Sequence, residues 1–400
     1  MRPVLLSAYT MTSCLGRGLA PTLEALRAGR SGLAPCRFDT AELDTFVGEI
    51  PGVDDTKLPP SLGQFDCRNN RAAELGLAQD GFSTAVEDSA RRLGNDRIGV
   101  FMGTSTAGIL QTELAFRRRD AADGSLPDDF DYRHTHNTFS VAEFVRTRLG
   151  LEGPCAAIST ACSSSAKTFA SAARLMEAGV IDAAVVGGVD TLCITTLYGF
   201  NSLQLLSAHP CRPYDVRRDG ISIGEAAAFI LLERASVHAP ADSLWLLGVG
   251  ESSDAYHMSS PHPEGRGARM AMQAALGSAG LTPDAIDYVN LHGTGTPAND
   301  AAEDHAVHGL FGTRVPVNST KGMTGHTLGA AGAVEAIVAA LAIDAGIVPG
   351  SPGTQMLDPA LRARYEVDGQ ERTVDRVLSN SFGFGGSNCS LVFGRLARAA

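Results

Sequence analysis

The chain has 400 residues, 44% hydrophobic and 19% charged, enough to bury a large core as one broad domain or two fused halves. Its net charge of −11 argues against general nucleic-acid binding, and its one dense basic run, Arg117-Arg118-Arg119, is short. No run is read as approaching the ~18 apolar residues of a membrane span, and Val4-Leu5-Leu6 is too short for a signal sequence, so no membrane association is expected and the cytoplasm is the expected setting.

Taken in order, Pro3 to Tyr9 reads as a strand and Gly18 to Gly29 as a short helix, whereas Cys36 to Pro60 carries little pattern and is expected to loop over the surface. Ala72, Leu75, Leu77, Phe82, Ala85 and Ala90 suit one or two helices between Arg68 and Leu93, leading into a strand at Arg97 to Met102. Gly103 to Gly108 ends that strand as a small-residue loop. After the acidic stretch Asp120 to Asp131, Ser140 to Leu149 reads as a helix.

Ala156 to Ile158 is then a short apolar run and Ser159 to Ala161 a turn. Ala166, Phe169, Ala170, Ala173 and Met176 recur at helical spacing until Gly179. Cys162 is thereby placed at or just before a helix N-terminus, where unpaired N–H groups and the positive dipole end favour a thiolate over a thiol. Taken alone, such a cysteine is most often a buried structural residue. Ala183 to Val186 reads as a buried strand closed by Gly187-Gly188, Thr191 to Ser207 is apolar without a clear period, and Cys211 to Gly220 is a polar loop. Ile221 to Glu233 follows as a strand, its Gly224-Glu225-Ala226 turn packed close to the centre.

A second half begins with a strand at Leu244 to Gly250, a helix at Gly267 to Gly280, and a strand at Ile286 to Leu291 that runs into His292-Gly293-Thr294-Gly295-Thr296. Ala301 to Gly309 reads as a helix with His305 and His308 on its wet face. Val315 to Ser319 is a strand, Lys321 to His326 a small-residue turn, and Leu328 to Ala345 a long apolar helix. Val374 to Leu378 and Ser390 to Phe393 are strands flanking a loop, Ser381 to Asn388. That loop neither opens a helix nor has the G-x-G-x-x-G spacing of a dinucleotide site.

Ile158 to Cys162 leading into a helix that stops at Gly179 is matched by Val317 to Lys321 leading into one that stops at Gly346. This repetition predicts an α/β chain of two similar halves, residues 1–235 and 236–400. Three turns after strands each present a reactive group: Cys162, His292, and the pair Lys321 and His326. Such turns gather at one crevice in α/β sheets, and a cysteine with two imidazoles makes an acyl-transfer set, the sulfur holding a thioester and the rings stabilising an oxyanion or enolate. No carboxylate is placed to pair with a histidine as in a hydrolase triad. Eight cysteines without a C-x-x-C spacing give no zinc site or disulfide framework, so no metal and reduced thiols are expected.

Residues 159–164 (STACSS), 290–297 (NLHGTGTP), 319–332 (STKGMTGHTLGAAG) and 380–388 (NSFGFGGSN) resemble the β-ketoacyl-(acyl-carrier-protein) synthases of the Cys-His-His, synthase I/II type. The resemblance implies a thiolase-like fold, two βαβαβαββ halves in five αβαβα layers. It also implies decarboxylative Claisen condensation of an acyl chain on Cys162 with malonyl-(acyl carrier protein). It makes Cys162 the nucleophile, His292 and His326 the pair that drives decarboxylation, Lys321 their electrostatic support and Glu335 the buried acid beside it. The N–H groups of Cys162 and Phe382 become the oxyanion hole, with Phe382 also a gate, and Phe200, Thr106 and Phe384 line the substrate pocket. Arg68 and Arg71 stand where relatives dock their carrier. No cofactor is implied beyond carrier-bound phosphopantetheine thioesters. The partners implied are the acyl carrier protein and a second subunit, either a homodimer mate or a chain-length-factor-like partner. Residues 193–207 resemble ketosynthases of aryl polyene pigment pathways. Two alternatives stay open: a non-catalytic chain-length factor, which would lack Cys162, and a thiolase-type coenzyme A acyltransferase, for which Cys389 would be the second cysteine.

Overall fold

The computed structural model describes residues 1–234, 239–240 and 242–396, so the expected boundary between halves at 235 and 236 lies outside the described residues. The first half runs β1 (Val4–Ser13), α1 (Arg68–Leu77), α2 (Phe82–Leu93), β2 (Ile98–Gly103), α3 (Ser140–Arg148), β3 (Cys155–Ile158), α4 (Ser164–Glu177), β4 (Ala183–Asp190), α5 (Ile194–Ser202) and β5 (Ala226–Arg234). The second runs β6 (Leu244–Ser253), α6 (Arg266–Ala279), β7 (Tyr288–Asn290), α7 (Pro297–Phe311), β8 (Pro316–Asn318), α8 (Ala331–Ala345), β9 (Arg376–Gly383) and β10 (Ser387–Gly394).

β2 pairs in parallel with β3 and β4, and antiparallel pairing then continues from β4 through β5 to β1. β7 pairs in parallel with β8 and β9, and antiparallel pairing continues from β9 through β10 to β6. The order is the same in both halves, and the sequence's duplication is thus a duplication of topology. A short antiparallel contact of Val4 to Leu6 with Leu244 to Leu246 joins them into one sheet path.

Five layers result. α1, α2 and α3 cover the outer face of the first half, α6 and α7 that of the second, and α4 and α8 fill the space between. A helix covered on every side needs no polar stripe. This explains α8, in which every residue from Ala331 to Ile343 is buried and only Asp344 and Ala345 reach the surface. The stretch Leu328–Ala345 is, by length and composition, apolar enough to cross a membrane, contrary to expectation; it is 89% buried and forms the core. Small residues set its approach to α4: a Cβ on Gly332 would stand 2.6 Å from the amide nitrogen of Ala166.

Differences from the reading are local. The Arg68 to Leu93 region takes the two-helix option of the reading, its helices parted at Asp80 (φ 52°) and Gly81 (φ 68°). Thr191 to Ser207 contains α5, whose period is invisible because Leu197 is its only buried side chain. The loop at Ser381 to Asn388 is a tight hairpin: β9 runs to Gly383 and β10 starts at Ser387. Gly385 and Gly386 turn the chain with φ of 79° and 75°, a region that glycine enters freely.

Candidate active site

β3 ends in a turn whose Ala161 lies in the left-handed region (φ 53°), a strained position for a residue with a Cβ. The turn is held by Ser164, whose Oγ accepts the Thr160 N–H at 2.9 Å. Cys162 stands two residues ahead of α4 and is 6% exposed. β7 delivers His292, and the N–H groups of His292 and Gly293 donate to the two oxygens of Glu303 on α7, each at 2.8 Å. β8 delivers Lys321, whose ammonium donates to the His292 carbonyl and to the Glu335 carboxylate of α8. A helical turn and Gly325 (φ 71°) then bring round His326, pinned by its N–H to the Ser222 carbonyl at 2.7 Å.

His326 Nε2 lies 3.0 Å from Cys162 Sγ, and the rings of His292 and His326 meet edge to face with centroids 5.3 Å apart. The sulfur and one nitrogen from each ring all fall within 4.8 Å of one another. Both Nδ1 atoms are buried without a protein partner, so no carboxylate orients either ring. Such a donor set could count as three ligands for a soft divalent ion, but the Lys321 ammonium beside both rings opposes a cation there.

Burial dominates the titration of Cys162, His292, His326, Glu303 and Glu335. It pushes the Cys162 thiol up to about 11, against the lowering pull of Lys321 and of the Phe384 backbone N–H. The expected thiolate is thus corrected to a thiol at neutral pH, because loss of solvation outweighs the helix end. Burial, aided by Lys321, also holds both imidazoles well below their usual range, and they are neutral donors or acceptors. Glu335 and Glu303 are each raised to about 7 by burial.

Two cavities meet at Cys162. One, of about 270 Å³, is lined by His292, His326, Thr294, Thr296 and Phe382; the other, of about 410 Å³, by Thr106, Thr196, Gly199, Leu203 and Leu328. Phe200 and Phe384 line both, their ring centroids 5.8 Å apart. Thr106 is fixed by Asp190, which accepts its N–H and hydroxyl at 2.9 Å and also the Gly329 N–H from the other half at 2.6 Å.

The structure brings Cys162, His292, His326, Lys321 and Glu335 into one contiguous network, with Phe200, Thr106 and Phe384 on the cavity walls. Phe382 is a correction. Its ring packs 5.8 Å from that of His292, but the N–H beside the sulfur belongs to Phe384, because β9 continues through Phe382 to Gly383 and the hairpin turns only at Phe384–Gly386. Arg68 is a second correction. Its side chain is 5% exposed, bound to Glu225 at 2.5 Å and Asp54 at 2.6 Å, and stacked over Phe38, so it offers a docking partner nothing. Arg71 is 22% exposed and paired with Asp66 at 2.6 Å, and Arg117 and Arg118 are engaged by Asp39 and Asp129.

Cys389 is fully buried among core side chains and lines neither cavity, which removes the footing of the thiolase alternative. Glu303 and Asp190 were missed. Glu303 had one signal, an acid between Ala302 and Ala306 on the apolar side of α7; Asp190 had none, since a lone aspartate after a strand is commonplace.

Residues 1–238 match the β-ketoacyl synthase N-terminal domain and residues 245–355 the β-ketoacyl synthase C-terminal domain. The 3-oxoacyl-[acyl-carrier-protein] synthase 2 of Vibrio cholerae serotype O1 is 34% identical over 420 aligned residues, covering 99% of each chain. Among solved structures, the ketosynthase ApeO in complex with its chain length factor ApeC, from Xenorhabdus doucetiae, is 37% identical with a TM-score of 0.89, covering 99% of this chain and 98% of that one. The ishigamide ketosynthase/chain length factor is 27% identical with a TM-score of 0.86, covering 99% and 100%. With the Cys-His-His cluster at the meeting point of two cavities, these matches settle the family: the chain belongs to the β-ketoacyl synthases, acyltransferases that lengthen an acyl chain by Claisen condensation.

Proposed function

We propose that the acyl chain and the malonyl unit arrive as phosphopantetheine thioesters of an acyl carrier protein and meet at Cys162 from its two sides. The observation that carries this is the 3.0 Å approach of His326 Nε2 to the Cys162 sulfur at the junction of the cavities. The sulfur attacks the acyl thioester while His326 takes the thiol proton; a new C–S bond forms and the carrier thiol leaves with a proton. Malonyl-carrier then occupies the side lined by His292 and His326. Its carboxylate departs as carbon dioxide, and the electron pair passes to an enolate oxygen held by the two neutral imidazoles. The enolate carbon attacks the acyl carbonyl on Cys162, whose oxygen is received by the N–H groups of Cys162 and Phe384, and the sulfur leaves as the new C–C bond closes.

Lys321 fits the role of fixed positive charge beside both rings and Glu335 that of its counter-ion; no cofactor or metal enters the scheme. Exclusion of water from the walled cavity favours condensation over hydrolysis. Phe384 suits a gate between the two sides, because its ring and that of Phe200 stand at both walls.

We further assign the working form to a heterodimer with a chain-length-factor-like subunit in an aryl polyene pathway, a homodimer being the alternative. Likeness to two ketosynthase structures that contain a chain length factor supports the heterodimer, and the pathway reading rests on residues 193–207. Eight free cysteines suit a reducing compartment and support a cytoplasmic assignment. The test supplies acyl-carrier and malonyl-carrier with and without the partner subunit and reads carrier-bound products by mass. A product two carbons longer and an acyl adduct on Cys162 are expected; an adduct elsewhere refutes the mechanism, and vigorous multi-round extension by the chain alone refutes the heterodimer.

A further inference from the structure

The wall of the larger cavity is a poor helix held in place from outside. α5 supplies Thr196, Gly199, Phe200 and Ser202 to that wall. Its sequence, ITTLYGFNS, is rich in β-branched residues and contains a glycine and an asparagine, all weak helix formers. Only Leu197 is buried, so packing fixes little of its position. The N-cap side chain, Cys193, makes no cap bond to a backbone amide; its thiol meets the Thr196 hydroxyl at 2.9 Å.

The first two amides of α5 are taken instead by Glu113, which lies in a separate helix, Ile109–Arg117. Its Oε2 accepts the Ile194 N–H at 3.0 Å and its Oε1 the Thr195 N–H at 2.7 Å. A carboxylate at that end also opposes the positive end of the helix dipole. Leu110 of the same helix packs against the small apolar cluster that contains Leu197 and that Ile194 and Phe200 also join, so the latch sits beside a shared apolar contact. A further tie is on the far side, where the Tyr198 hydroxyl accepts the Glu42 N–H at 3.1 Å.

We infer that Glu113 is the positioning residue that sets the width of the acyl cavity, and so the discrimination among acyl chain lengths, by anchoring α5 through its first two amides. This rests on the ketosynthase reading above. Glu113 touches neither the sulfur nor the imidazoles and does not line either cavity, so it acts only through the wall. Losing the latch frees the end of α5 nearest Thr196, and chains longer than the preferred one enter.

The test measures acylation of Cys162 by mass across a series of saturated acyl-carrier thioesters for the wild type, Glu113→Ala and Glu113→Gln, with malonyl-carrier decarboxylation as the second readout. Glu113→Ala should reduce the preference for the best chain over the next longer ones by about ten-fold, a change the size of small pocket differences. Decarboxylation should be unchanged. Glu113→Gln keeps one amide oxygen for one of the two N–H groups and should fall between; if the alanine variant does not fold, the glutamine variant decides alone. A chain-length profile identical to wild type, or a uniform fall at all lengths together with decarboxylation, overturns the inference. Absence of any acyl adduct in the wild type would sink the ketosynthase reading first, and this inference with it.

Discussion

After β3, one left-handed residue, Ala161, turns the chain almost directly into α4 and leaves Cys162 at the cavity junction. After the equivalent strand β8, the chain makes a helical turn at Lys321–Thr324 and another at Leu328–Ala330 before α8 begins at Ala331. The residue matching Cys162 in the second half, Lys321, is 1% exposed and turned to Glu335, and the detour carries His326 to the sulfur instead. The duplicated scaffold thus offers two strand ends to one site. The short turn presents the group that bonds to substrate; the long one hides a charge and reaches across with an imidazole.

Breaking the short turn's contribution has the largest expected effect. Cys162→Ala should abolish both the acyl adduct and condensation in an assay of carrier-bound product, and an adduct that persists would show that another thiol carries the chain. Breaking the long turn's hidden charge comes next. Lys321→Ala leaves Glu335 buried without its partner and should cost about 3–5 kcal/mol of stability by denaturant titration, whereas Lys321→Met with Glu335→Leu should recover most of it without recovering condensation. Equal destabilisation in the single and double variants would mean that the pair is not the source.

The imidazoles rank third. His326→Ala and His292→Ala should each lower the condensation rate by about 10²–10³, the usual cost of one oxyanion donor, with the fold intact by circular dichroism. A near-normal rate in either would make that ring structural. The smallest effect is on titration. The Cys162 thiol, at about 11 instead of the ordinary 9, should be alkylated by iodoacetamide at a rate still climbing above pH 9. Lys321→Met removes a charge that lowers this pKa, so the climb should move to still higher pH; a shift downward would reverse the assignment. Because both rings titrate well below their usual range, the imidazoles should contribute no inflection near pH 6.5 to the condensation profile, and any step near pH 7 belongs to Glu303 or Glu335.

What made the site legible was local. Glycine stops, the apolar spacing of α4 and the repeated strand-to-turn pattern are properties of neighbouring residues, so they placed Cys162, His292, Lys321 and His326 at strand ends and paired the two halves. Glu335 and the cavity phenylalanines followed from motif likeness and not from spacing.

The rest depended on what stands opposite in space. Whether Phe382 or Phe384 offers its N–H is decided by where the hairpin turns, and whether Arg68 is a surface cation is decided by Glu225, which lies 157 residues away in the chain. Glu303 acts on His292 only because α7 folds back over β7. The proton on Cys162 shows the same limit most clearly. A helix N-terminus can be read from sequence and favours the thiolate, but burial outweighs it, with His292, His326, Phe382 and the second cavity wall standing around the sulfur, and burial of that kind exists only once both halves are packed.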